Sequence, residues 1–128
     1  MATVLGVAAG GALGAVARFV VGGWIQQLAR SGFPWGTLAI NVSGSLALGF
    51  LVVWLDAARA APELRAFLTI GVLGGFTTFS ALSWETVALT RDGDFGRAAM
   101  YSVGSMVLGV LAAFAGMALA QRWLGGAA

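Results

Sequence analysis

Gly71-Val72-Leu73-Gly74-Gly75-Phe76-Thr77-Thr78-Phe79-Ser80 is the stretch on which the fold turns. It lies inside an apolar run that starts near Leu64 and ends near Thr90, longer than the roughly 20 residues a helix needs to cross a bilayer. A glycine pair and adjacent threonines weaken a helix at this point. In hydrocarbon, an interruption frees amides and carbonyls that lipid cannot satisfy. Those groups must face protein, water or an ion, and half-helix ends near the membrane midplane are a recurrent ion-site device. The expectation is a third membrane helix broken near mid-membrane. Spacing alone also allows a glycine hinge that serves only close packing.

Three further apolar runs flank this one: roughly Thr3 to Ala29, Gly36 to Leu55 and Arg97 to Trp123. The separators carry breakers and charges: Arg30-Ser31-Gly32-Phe33-Pro34, then Asp56 to Glu63 with Pro62, then Arg91-Asp92-Gly93-Asp94. Each reads as a short turn between antiparallel neighbours. The chain has 128 residues, 59% of them hydrophobic and 9% charged, with a mean hydropathy of +0.92. Soluble domains carry charge on about a quarter of their residues, and a small domain leaves too much surface exposed to hide this much apolar area. The fold class is therefore an all-α membrane protein of four transmembrane helices, a single domain over residues 1–128 with no repeated motif. The first apolar run lacks a basic start and is too long for a secretory signal.

Composition also removes several function classes. There is no cysteine and no histidine, hence no disulfide or thiolate chemistry and no imidazole as proton shuttle or metal ligand. All seven basic residues are arginine, and the formal charge of +2 is scattered. No basic patch for nucleic acid exists.

Loop arginines set membrane orientation. Arg59, Arg65 and Arg122 fall on the side of the N-terminus, and Arg30, Arg91 and Arg97 on the other. An even count gives the insertion machinery little reason to prefer one orientation. The chain is expected to insert both ways and pair as an antiparallel, dual-topology homodimer; the alternative is a weak bias settled by another signal. A four-helix protomer is also thin, which favours a path built with a partner.

Small residues recur at intervals of four: Gly6, Gly10 and Gly14 in the first run, Ser45 and Gly49 in the second, and Ser105, Gly109 and Ala113 in the fourth, with Tyr101 one turn earlier. Such ridges let helix backbones approach in lipid, and packing alone suffices for most of them. Polar side chains inside spans are costly and face a cavity or a partner. Arg18 either snorkels to the interface or draws anions into a vestibule. Asn41 either bonds a neighbouring helix or offers its amide to a pore. Glu85, the only acid inside a run, either snorkels or joins a hydrogen-bonded gate.

Three motifs together resemble the Fluc (CrcB-type) fluoride channel family over essentially the whole chain. They are Gly10-Gly11-Ala12-Leu13-Gly14-Ala15-Val16-Ala17-Arg18-Phe19, Gly36-Thr37-Leu38-Ala39-Ile40-Asn41-Val42-Ser43-Gly44, and Gly74-Gly75-Phe76-Thr77-Thr78-Phe79-Ser80 followed by Ser83 and Glu85. The resemblance implies two separate fluoride pores in an antiparallel dimer, in the inner or plasma membrane, conducting fluoride passively. It implies a structural sodium ion at the dimer centre, held by the backbone carbonyls of Gly74 and Thr77. It implies pore roles for Asn41 and the Phe79 ring, with a polar track mapping onto Ser80, Tyr101 and Ser105. Thr37 and Arg18 fall at vestibule positions and Glu85 at a position linked to the pore. The chain departs from the family pattern at Ala81 and Leu82, where a hydroxyl and a second aromatic ring are missing, and at Gly109, where a relative has serine.

The implied chemistry suits fluoride. A dry pore must replace the water of a small, strongly hydrated anion with donors, and conduction needs sites that are moderate and multiple. Amide, hydroxyl and aromatic edge are such donors, and a central cation offsets part of the cost of an anion in low dielectric. Two other readings compete. A proton-coupled exporter of the small multidrug resistance type needs an intramembrane acid, usually in the first span, where this chain has Arg18. A structural or assembly protein leaves Asn41 and the Gly71–Ser80 stretch unexplained. An enzyme is less supported still, since no nucleophile–base pair is visible.

Overall fold

A computed structural model describes residues 1–125, all in helices and short turns with no strand. Helix α1 spans Ala2–Ala29 and α2 spans Trp35–Ala57. The third span is composite: α3 (Pro62–Arg65), a π-helical stretch (Ala66–Leu73), α4 (Gly74–Phe76), two extended residues, then α5 (Phe79–Arg91). Helix α6 spans Phe95–Gly125. Four helices are long and apolar enough to cross a membrane, of 28, 23, 30 and 31 residues, the third being Pro62–Arg91 taken whole.

Local chemistry sets the ends. Helix α1 stops where Arg30 takes a left-handed conformation (φ 46°). Arg59 turns the next loop in the same way (φ 49°), and Pro62 then opens α3 at a position where its missing N–H costs nothing. Asp94 Oδ1 accepts from the Arg97 amide at 3.3 Å at the start of α6. The helices overrun the apolar runs by one or two residues at most ends: α2 continues through Asp56 to Ala57, the third span opens at Pro62 and closes at Arg91, and α6 spans Phe95–Gly125. Helical hydrogen bonding runs on until a cap or turn stops it, whereas hydropathy falls at the first charge.

Packing relies on small residues. Helix α2 lies along α6, where a Cβ on Gly49 or Gly116 would overlap the facing carbonyl of Ala113 or Leu46. Helix α1 lies along the first half of the third span. A Cβ on Gly10 would stand 2.7 Å from the Phe67 carbonyl oxygen, and one on Gly14 2.7 Å from the Phe76 nitrogen. Gly6 continues this row but packs loosely, its nearest neighbour being Phe67 Cβ at 4.0 Å. The buried centre holds few large side chains, chiefly Tyr101, Ile40 and Leu55, while Leu13, Phe19, Trp24 and many other apolar residues face outward. That inversion suits a lipid surround.

Candidate functional site

The site is built around the two residues between α4 and α5. Thr77 (φ −82°, ψ 157°) and Thr78 (φ −150°, ψ 117°) are extended. Their polar groups are answered by side chains. Asn41 Nδ2 on α2 donates to the Thr78 carbonyl (3.0 Å), and the Thr78 amide donates to Asn41 Oδ1 (2.7 Å). The Asn41 amide thus engages one residue from both sides, leaving its second N–H to donate elsewhere. The Thr78 hydroxyl accepts from the Ala81 amide at 3.1 Å, capping α5, and lies 3.2 Å from Ser80 Oγ.

These bonds release two carbonyls. In an unbroken helix the Gly74 carbonyl would accept from the Thr78 amide and the Thr77 carbonyl from the Ala81 amide. Both donors are used elsewhere, on Asn41 and on the Thr78 hydroxyl. The Thr77 carbonyl instead receives Arg18 Nη1 at 3.4 Å.

One to two turns further on, Glu85 joins three elements. Thr37 Oγ1 on α2 donates to its Oε1 (2.7 Å), and the Tyr101 hydroxyl on α6 donates to its Oε2. Tyr101 is only 1% exposed and stands edge-on to Phe33, with ring centroids 5.4 Å apart. Leu82 packs against this Phe33–Tyr101 cluster.

Two clefts border the extended pair. The first, about 360 Å³, is lined by Asn41, Ser45, Gly74, Thr77, Phe79 and Ser105, among others. The second, about 630 Å³, is lined by Arg18, Gln26, Thr37 and Glu85, among others. Thr78 lines both. The residues singled out from the sequence therefore divide: Asn41, Phe79, Ser105, Gly74 and Thr77 on one cleft, Arg18, Thr37 and Glu85 on the other. Tyr101 is buried beneath Glu85 and lines neither, and Ser80 reaches the site only through Thr78. Phe79 is 78% exposed. Ser105 is buried, and its hydroxyl has no hydrogen-bond partner among the described residues.

Sequence reasoning missed two participants. The sequence marks Thr78 only as part of a motif, and adjacent threonines do not reveal which will turn its backbone to Asn41. Gln26 closes the α1–α2 turn: its Nε2 donates to the carbonyls of Ser31 (2.8 Å) and Phe33 (3.0 Å), and its Oε1 accepts from the Gly36 amide (3.0 Å). The only available signal was an amide side chain in the last turn before a Gly-Phe-Pro loop.

Residues 5–117 match the family described as CrcB-like protein, Camphor Resistance (CrcB). A relative named fluoride-specific ion channel FluC from Thermus thermophilus is 46% identical over 93% of this chain and 94% of its own length. Relatives of the same name from Rhizobium meliloti and Agrobacterium fabrum are each 50% identical, over 91% of this chain and 94% of their own lengths. With the match running from the first helix into the last, and close on half of the residues shared along that length, the chain belongs to the CrcB-like protein family.

Proposed function

We propose that this chain is a fluoride channel, conducting the ion passively through two pores of an antiparallel homodimer in the cell membrane. The observation that carries the reading is the polar construction around Thr78. It sets the second amide N–H of Asn41 and the Ser105 hydroxyl, which has no partner among the described residues, on a cleft otherwise mostly apolar. Neutral donors in a low-dielectric cleft can replace the hydration of a small anion without the trap that a fixed charge would create. The curated relatives carry the name of that activity.

The dimer is supported by the even arginine count and by the exposure of Phe79 beside an open cleft. A ring at that place needs a second protein surface to turn its positive edge toward an enclosed path. Arg18, near the Thr77 carbonyl and lining the second cleft, provides the charge that gathers anions at an entrance. Thr37, Glu85 and Tyr101 form the bonded set behind it, and Ser80 belongs to the polar track through its contact with Thr78.

The residues also fit the sodium ion that the family resemblance implies. Hard cations take oxygen ligands, and the carbonyls of Gly74 and Thr77 have lost their helical donors, the Thr77 oxygen keeping a second lone pair beside its long 3.4 Å contact with Arg18. With the same pair from a second copy, they would hold the ion and supply a positive centre near the anion path. Both oxygens of Glu85 are engaged by hydroxyl donors, which argues against a proton-coupled cation exporter, whose acid must be free to exchange its partner.

The test is fluoride efflux from liposomes containing the purified protein, followed with a fluoride electrode and run beside a chloride control. Rapid fluoride loss without chloride loss is the expected outcome. Intact protein that releases no fluoride would overturn the proposal.

A further inference from the structure

Hydroxyls on membrane helices ordinarily donate to a carbonyl one turn back. Here Ser43, Ser83, Thr86, Thr90 and Ser102 do so. So do two that line the first cleft, Thr69 to the Arg65 carbonyl and Thr77 to the Leu73 carbonyl. Ser45 and Ser105 are exceptions on the same cleft. Among the described residues the buried Ser105 hydroxyl has no partner, and Ser45 forms no hydrogen bond.

Position explains what Ser45 can do. It lies four residues after Asn41 on α2, hence on the same face one turn along. Across from it stands Gly109, four residues after Ser105 on α6. A Cβ on Gly109 would lie 3.5 Å from Ser45 Oγ. The missing side chain thus leaves the Ser45 hydroxyl open to the cleft.

We propose that Ser45 is a further ligand for the permeating anion, a hydroxyl donor one turn beyond Asn41 and across from Gly109. The assignment rests on the fluoride-channel reading above. The donors then run as two facing rows, Asn41 and Ser45 on α2 and Ser105 on α6, with Gly109 supplying space rather than a group. An anion leaving the Asn41 amide would meet a second neutral donor before reaching apolar wall.

The experiment compares initial fluoride efflux from liposomes for the unaltered protein, Ser45→Ala, Ser45→Thr and Ser43→Ala, each first checked by gel filtration. Losing a hydrogen bond to an anion slows efflux by about tenfold or more in Ser45→Ala. Ser45→Thr keeps the hydroxyl and restores the rate to within about twofold of the unaltered protein, as does Ser43→Ala, whose hydroxyl serves its own helix. Gly109→Ala is the second route, should Ser45→Ala aggregate. Its methyl fits beside Ser45 Oγ at ordinary contact distance and screens it, so efflux slows. Unaltered protein that transports fluoride while Ser45→Ala or Gly109→Ala matches it would overturn the role of Ser45 alone. No efflux from the unaltered protein would overturn the channel reading and this assignment with it.

Discussion

The two halves of the third span are held by different forces. Residues 62–76 lie against α1 through backbone: Gly10 meets Gly71 and the Phe67 carbonyl, Gly14 faces Val72 and Phe76, and Gly75 faces Gly11. Helix α5 packs Leu82 and Leu89 on the Phe33–Tyr101 cluster and adds interhelical hydrogen bonds, through Glu85 to Thr37 and Tyr101 and, at its entry, through Thr78 to Asn41. Lipid removes the hydrophobic drive between helices, so either close van der Waals contact or interhelical hydrogen bonds must supply it. Backbone approach dominates before Thr77, and interhelical hydrogen bonds join side-chain packing after Thr78. The first half should therefore be sensitive to added volume and the second to lost donors and acceptors.

Gly14→Val tests the first half most severely. Its Cβ would overlap the Val72 carbonyl oxygen, and backbone cannot move aside as a flexible side chain can. The expected loss is about 3 kcal/mol, at the upper end of overpacking costs, read as a large fall in melting temperature in detergent. Gly11→Ala on the same helix is the control, because a Cβ there meets nothing within 4 Å. Equal melting of the two variants would remove the claim that backbone approach holds this half.

Asn41→Asp tests the junction. It keeps an acceptor for the Thr78 amide but replaces the donor to the Thr78 carbonyl with a second acceptor. One lost bond and one unsatisfied carbonyl cost about 2 kcal/mol. On the channel reading, the new carboxylate also repels the anion, and fluoride efflux drops by at least about tenfold. Normal conduction by this variant would remove Asn41 from the path.

Sequence made some of this legible. Four runs that meet or exceed the length a bilayer requires left little choice of fold, and the Gly and Thr content of residues 71–80 marked a weak helix. The partners were not legible. Asn41 and Thr78 are 37 residues apart and Thr37 and Glu85 are 48 apart, and their meeting depends on how α2 is rotated against the third span. Gly44 is where α2 meets Thr77 and Phe76 of the third span, while Gly36 faces Gly22 on α1 and Gly116 brings α6 onto Leu46 of α2, and the apolar pattern gives no direction at any of them. The π-helical stretch Ala66–Leu73 has no compositional signature either, since a shift of hydrogen-bond register changes no residue type. Of the Gly6-Gly10-Gly14 row, only the last two make close contact, because spacing identifies a ridge but not the length over which a neighbour follows it.

Glu85→Gln is the milder test of the second half. The amide keeps one acceptor and turns the other into a donor. The Thr37 hydroxyl can rotate to accept, while Tyr101 retains its acceptor. The cost is about 1 kcal/mol, less than for Asn41→Asp, because the partners can adapt where the Thr78 backbone cannot. A loss as large as that of Gly14→Val would mean that the trio is the principal clamp and the glycine contacts are secondary.

Phe79→Ile should affect stability least and separates folding from transport. The ring is 78% exposed and contributes little to the single chain, so melting should stay within about 0.5 kcal/mol of the unaltered protein, as for most surface changes. Isoleucine nevertheless has no ring, and hence no positive edge to present to an anion. Fluoride efflux should therefore fall several-fold while the melting temperature holds. A parallel loss of both would mean that the ring serves packing rather than presenting its edge to the ion. Unchanged efflux would remove the ring from the path and leave the amide and hydroxyls of α2 and α6 to carry the ion.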